Sequence, residues 1–254
     1  MVYTYMNGIE QPDTTVSIKE EQRIAGHAIG IIVLDVWYPL LPGNVANATS
    51  YSFPVLYRTL KGVGPEVLKG DTALLDKIIE AGKELEKQGV RAIVGSCGYF
   101  GFYQREAAAA LNVPIFLSSL LQVPIIIQSL KGKQKVGIIC ASADSLTLNI
   151  FKACGIDNLS RVAIIGAQDL PEFKNILQSR GHFNSSKLEQ DLVSLAKQFT
   201  KNNPDVGAIL LECSDMPPYA WAIQKAISLP VFDFMTMINW VYNAVVRRPF
   251  AGFI

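Results

Sequence analysis

Histidine is scarce in this sequence, and long apolar runs are missing. The two histidines among 254 residues, His27 and His182, stand far from the four cysteines at positions 97, 140, 154 and 213. No two cysteines have CxxC spacing, so the chain shows no zinc-ligand pattern. The longest apolar patches, Ile31–Leu34 and Val123–Ile127, fall well short of the roughly 18–20 residues that span a bilayer. Charge of neither sign predominates. Lys and Arg total 23 against 22 Asp and Glu, a net charge of +1, which argues against a nucleic-acid partner. There is no GxxxxGK[ST] loop and no GxGxxG after a strand; Gly62-Val-Gly64-Pro lacks the strand–helix context a phosphate cradle needs. Met1–His27 has neither the basic start nor the apolar stretch of a signal peptide and reads as a loosely structured arm. A cytoplasmic protein with reduced thiols and no membrane contact is expected.

What the sequence has is alternation. Half of it is hydrophobic and 18% charged, enough for a large core. Short apolar runs predict strands at Ile29–Leu34, Pro54–Leu60, Ala92–Gly95, Ile115–Leu117, Val136–Cys140, Val162–Ile165, Ala208–Leu211 and Val231–Phe232. Helical patterns lie between them, over Thr72–Gln88, Phe102–Leu111, Leu120–Leu130, Asp144–Ala153, Lys187–Thr200, Pro218–Ile227 and Met235–Val246. Near-continuous apolar strands separated by helices predict an α/β fold with parallel sheets covered on both faces. Ser119-Leu-Leu-Gln122 fits a capping box at a helix start. Val36–Gly70 is too long for a simple connection and reads as a lid, a binding loop or a surface excursion carrying an edge strand.

The chain also repeats itself. Val90–Phe116 aligns without a gap to Val206–Phe232, and the matched positions include Cys97 with Cys213 and Tyr103 with Tyr219. Gly30-Ile-Ile and Gly137-Ile-Ile open the two halves alike. The repeat predicts two similar lobes, each a parallel sheet flanked by helices, related by a pseudo-two-fold axis with the site in the cleft between them. The divisions are an arm over 1–28, a first lobe over 29–118 plus 231–254, and a second lobe over 119–230. Each matched cysteine lies just past a strand's C-terminal end and before a helix, where open α/β sheets bind ligands and where helix N–H groups lower a thiol pKa. Two such thiols across one cleft suit proton removal from one face of a carbon and return to the other. Cys140 and Cys154 read as small buried hydrophobes.

Gly95-Ser-Cys97-Gly-Tyr99 and Leu211-Glu-Cys213-Ser-Asp215, each closing a strand, resemble the cysteine motifs of the aspartate/glutamate/hydantoin racemase superfamily. The resemblance covers about residues 29–250. It implies racemisation or epimerisation α to a carboxylate or carbonyl, without pyridoxal phosphate or metal, with Cys97 and Cys213 as the acid/base pair. It places Asp35, Gly98, Tyr99, Ser142, Ser214 and Asp215 around a small carboxylate or cyclic amide, and it implies a homodimer. The chain departs from the amino-acid racemases at Gly98-Tyr99, at Glu212 and at Asp215, which leaves the substrate open between an acidic amino acid and a hydantoin-like ring. Two other readings stand beside it: a one-cysteine decarboxylase or cis–trans isomerase, and a non-catalytic small-molecule binding protein.

Overall fold

The computed structural model describes residues 18, 20–64, 67 and 70–254. Most of the N-terminal arm, residues 1–17 and 19, lies outside the described residues. Among the described residues, eight strands form two four-stranded parallel sheets. The first is ordered β2-β1-β3-β4, from β1 Ile29–Leu34, β2 Val55–Leu60, β3 Ala92–Gly95 and β4 Ile115–Phe116. The second is ordered β6-β5-β7-β8, from β5 Lys135–Cys140, β6 Val162–Gly166, β7 Val206–Leu211 and β8 Val231–Phe232. The topologies are equivalent, as the repeat predicts. The central strands are buried on both faces, from Ile29 to Val33 in β1 and from Val136 to Cys140 in β5, which explains their unbroken apolar sequence.

The paired glycines that open the lobes mark close helix–sheet packing. A Cβ at Gly30 would meet the Leu85 side chain at 3.0 Å, and one at Gly137 would meet Phe199 at 2.7 Å. Leu85 lies on α1 (Ala73–Lys87) and Phe199 on α6 (Ser185–Asn202). Each covering helix therefore approaches its central strand at a position where a side chain would crowd it.

The helices are α2 Gln104–Ala110, α3 Val123–Ser129, α4 Leu148–Ala153, α5 Pro171–Leu177, α7 Ala220–Ile227 and α8 Phe234–Val245, beside α1 and α6. Several begin later than the sequence predicts, because 3₁₀ turns over Gly98–Tyr103, Ser119–Gln122, Ala143–Ser145 and Pro217–Tyr219 precede them. The sequence reading misses α5. At the Ser119–Gln122 turn before α3, Ser118, not Ser119, is the cap, accepting from the Leu120 N–H at 3.2 Å. The Ser119 hydroxyl instead donates to the Leu211 and Glu212 carbonyls.

One boundary is corrected. β8, assigned to the first lobe from the sequence, pairs with β7 in the second sheet. Only α8 returns, packing Phe234, Met237, Ile238 and Val241 with Ile29, Ile31 and Val94 of the first sheet. Its capping box at Asp233 fixes the turn that sends it back.

Candidate active site

Each matched cysteine is set by the same local device. The residue before it hydrogen-bonds to the central strand: the Ser96 N–H donates to the Ile32 carbonyl and the Glu212 N–H to the Ile139 carbonyl, both at 2.9 Å. The chain then turns immediately, with the Phe100 N–H on the Cys97 carbonyl and the Met216 N–H on the Cys213 carbonyl, both at 3.1 Å. Both thiols are free, nearly buried and open to one cavity of about 390 Å³. The cavity lies at the C-terminal ends of the strands, where the α/β architecture places ligands.

The same cavity is lined by Asp35, Gly98, Tyr99, Ser214 and Asp215, all named from the sequence. Asp35 also acts as a loop cap, accepting from the Gly62 N–H at 2.8 Å. Ser142 is not in the lining; its neighbour Ala141 is. The Ser142 hydroxyl accepts from Ser145 Oγ at 3.2 Å, within its own 3₁₀ turn. The Tyr99 ring lines the cavity, but its hydroxyl donates to the Ser142 carbonyl at 2.7 Å and accepts from the Ser142 N–H at 2.8 Å. It fastens the first cysteine loop to the other lobe instead of offering a hydroxyl to a ligand. Cys140 and Cys154 are buried away from the lining.

Sequence reasoning misses three residues. Tyr38 and Asn44, from the long segment after β1, cross to the other lobe. The Tyr38 hydroxyl donates to Asp215 Oδ2 at 3.1 Å and Asn44 Nδ2 to Asp215 Oδ1 at 2.6 Å. Gly43 of the same segment lies against Pro218, which a Cβ would meet at 3.0 Å. The segment is thus a strap over the cleft. The third is Glu212, fully buried between the cysteine loops. Its Oε2 accepts from the Ala141 N–H at 3.2 Å, while Oε1 has no partner among the described residues. Its signal was a carboxylate closing an otherwise apolar strand.

Burial dominates the electrostatics. It pushes the Glu212 carboxyl up to about 8, so this side chain is a neutral acid at pH 7. Burial also raises Asp215, to about 6, against the hydrogen bonds from Tyr38, Cys213 and Asn44. Asp215 is therefore ionised at pH 7, and Cys213 Sγ donates to its Oδ2 at 3.5 Å. Both cleft thiols are driven well above the usual thiol range, first by burial and then by the negative charge of the neighbouring acids, Asp215 foremost for Cys213 and Glu212, once it ionises, for Cys97. The turn N–H groups act the other way, as the sequence reading expects, but burial outweighs them. Among the described residues, no cluster of three His, Cys, Asp or Glu could hold a metal, and no helix is long and apolar enough to cross a membrane.

No family model matches the chain. It is 32% identical over 241 residues to dimethylsulfoniopropionate lyase 7 of Emiliania huxleyi, covering 89% of this chain and 69% of that protein. It is 31% identical over 246 residues to dimethylsulfoniopropionate lyase 3 of the same organism, covering 90% of this chain but only 63% of the relative's length. Among solved structures, unliganded arylmalonate decarboxylase superposes with a TM-score of 0.57 at 16% identity, over 88% of this chain and 94% of that one. Glutamate racemase from Francisella tularensis gives 0.52 at 18%, over 89% and 85%, and allantoin racemase from Pseudomonas fluorescens 0.53 at 14%, over 86% and 91%. The two lobes have the fold of these decarboxylase and racemase structures, and the sequence identity shows the family: this chain belongs to the dimethylsulfoniopropionate lyase family.

Proposed function

We propose that this chain is a cofactor-independent lyase that removes the proton α to the carboxylate of an onium-bearing acid and expels the β-substituent, with dimethylsulfoniopropionate as the first substrate to test. The observation that carries this reading is the charge of the cavity. Three acids line it, Asp35, Glu212 and Asp215, with the rings of Tyr38, Tyr57 and Tyr99, and no Lys, Arg or His does so among the described residues. An acidic, aromatic wall attracts a cation. Aspartate or glutamate would bring a net negative charge into it. A sulfonio-carboxylate is neutral overall and presents a cation.

The residues then divide as follows. Asp215, held by Tyr38 and Asn44, orients the Cys213 S–H and is its nearest proton acceptor. An onium group entering the cavity offsets the carboxylates that raise the thiol pKa, so the substrate itself favours the thiolate. The Cys213 thiolate takes the α-proton. The C–H pair becomes the new C=C bond, and the β C–S bond breaks with its pair leaving on sulfur. The products are acrylate and dimethyl sulfide, with one proton released through Asp215. Gly98 and Ser214, the residues that follow the two thiols, line the cavity.

Racemisation, the expectation from the sequence, shares the first half of this reaction. Without a β leaving group, Cys97 would return a proton from the other lobe. The neutral cavity partner for that reading is a hydantoin-like ring rather than an acidic amino acid. One measurement separates them: proton NMR in deuterium oxide with headspace detection of dimethyl sulfide, on wild type, Cys97→Ser and Cys213→Ser. Elimination needs one base, so Cys213→Ser should abolish gas release and Cys97→Ser should leave part of it. Solvent exchange on a hydantoin, lost in both variants and without any gas from the sulfonio acid, would sink the lyase reading.

A further inference from the structure

Among the described residues, the cavity that suits a cation has no cation of its own to receive a carboxylate. Its acids also include one with no charge to give. Glu212 is fully buried, one carboxyl oxygen accepts a single backbone N–H, and the other has no partner among the described residues. Unsatisfied buried polar atoms are rare and call for a reason. This one sits against Gly98, where a Cβ would lie 1.8 Å from Oε1. The first cysteine loop therefore leaves room for the carboxyl by having no side chain there. Glu212 thus stands in the cavity wall between the residues that follow Cys97 and those that flank Cys213.

Resting on the elimination reading, we infer that Glu212 is a further catalytic residue, a neutral carboxylic acid whose O–H hydrogen-bonds the substrate carboxylate and strengthens as enolate charge builds there. A carboxyl can do this only while protonated, and its surroundings keep it so. The titratable groups facing it are Cys97 and Tyr99 from the β3 loop, Cys140 from β5, Cys154 just after α4, and Cys213 from its own loop. None of these is a cation. A buried acid in apolar surroundings is a known way to supply a hydrogen-bond donor that water cannot replace. The Ala141 N–H holds Oε2 as acceptor, which leaves Oε1 as the oxygen that carries the proton.

The test compares Glu212→Gln with Glu212→Leu in the full chain. The amide keeps a donor at the same place, with its carbonyl still accepting from Ala141; the leucine keeps only bulk. Dimethyl sulfide release is followed over a pH series spanning 8. Glu212→Leu should lose roughly 100-fold or more in kcat, and Glu212→Gln should keep most of it. Wild-type kcat/KM should fall through about pH 8, and that fall should be missing in Glu212→Gln. Infrared difference spectra provide the second reading. A protonated-acid C=O stretch, absent in Glu212→Gln, should shift when saturating β-alanine betaine, a poor leaving-group analogue, is added. A stretch that ignores the ligand, or a Gln variant as impaired as the Leu variant, overturns the inference. The two failures are distinguishable: no gas from wild type with a shifted stretch ends the elimination reading alone, and gas with an unmoved stretch ends the Glu212 role alone.

Discussion

Asn44 and Asp215 are 171 residues apart, yet the Asn44 amide donates to the Asp215 carboxylate at 2.6 Å across the cleft. This bond joins the strap after β1 to the loop of the second cysteine. It favours the ionised form of Asp215 against burial. Removing it leaves a buried charge with one donor fewer, which costs about 1.5–3 kcal/mol. Asn44→Ala should lower the urea midpoint accordingly. It should also move the acidic limb of activity, which rises as Asp215 ionises near 6, to higher pH. Tyr38→Phe should shift both in the same direction. A variant with unchanged stability and an unchanged acidic limb would show that the strap does not hold Asp215.

Glu212 makes a stability statement independent of catalysis. Its folded pKa, about 8, is above the ordinary carboxyl value of 4.5. Between those values the folded protein binds a proton that the unfolded chain has released. Stability therefore falls as pH rises through this window, and the full penalty is present above 8. Glu212→Gln removes the titration. Its stability relative to wild type should grow from pH 5 to pH 9, by on the order of a few kcal/mol. Parallel unfolding curves for the two proteins across that range would contradict a neutral buried acid.

The strands and the cysteine pair were legible because their signals are local. Ile29–Leu34 is an unbroken apolar run, and it is β1 residue for residue. The repeat places both thiols at strand ends, and both reach one cavity. What was not legible depends on contacts between distant segments. No feature near Asn44 or Tyr38 says that they meet Asp215. The family resemblance offered Ser142 as a ligand donor and the sequence equally as a helix cap, whereas its hydroxyl accepts from Ser145. α5 was hidden because Pro171–Leu177 is short and half-exposed, with only Phe173 and Ile176 buried. The thiol pKa was misjudged for the same reason: helix N–H groups can be read from a pattern, whereas burial by the opposite lobe cannot.

Tyr99 provides a test between a ligand donor and a lobe fastener. Its hydroxyl makes two bonds to the Ser142 backbone, and Tyr99→Phe leaves that N–H without its hydroxyl partner, while the carbonyl keeps only the Ser145 N–H at 3.3 Å. Stability should drop by about 1–3 kcal/mol. KM should change little, because the ring that lines the cavity is retained. A large rise in KM with unchanged stability would return Tyr99 to the ligand.

Gly98 should tolerate nothing larger. A Cβ there would lie 1.8 Å from Glu212 Oε1 and 2.6 Å from the Glu212 carbonyl oxygen. The carboxyl can swing, but the backbone oxygen cannot do so without moving β7. Overpacking of this kind costs about 1–3 kcal/mol, and the displaced carboxyl should lose its place in the cavity wall. Gly98→Ala is therefore expected to fold less stably and to resemble Glu212→Leu in kcat. A stable, active Gly98→Ala would show that the two loops separate freely.

The Cys213–Asp215 pair decides how the thiol is activated. Asp215 accepts the S–H at 3.5 Å, yet its charge also raises the thiol pKa. These effects are opposed in an alkylation experiment. In the free protein, iodoacetamide should label Cys213 slowly at neutral pH, because the thiolate fraction is small. Asp215→Asn removes the negative charge, so the labelling midpoint should move to lower pH. Turnover should nonetheless fall, since the thiol proton has lost its nearest acceptor. Added β-alanine betaine should raise thiolate ultraviolet absorbance in wild type, and acrylate, which brings no cation, should not. Slower labelling in Asp215→Asn would mean that the carboxylate already draws the proton from Cys213 before any substrate arrives, and that the cation of the substrate is needed for binding alone.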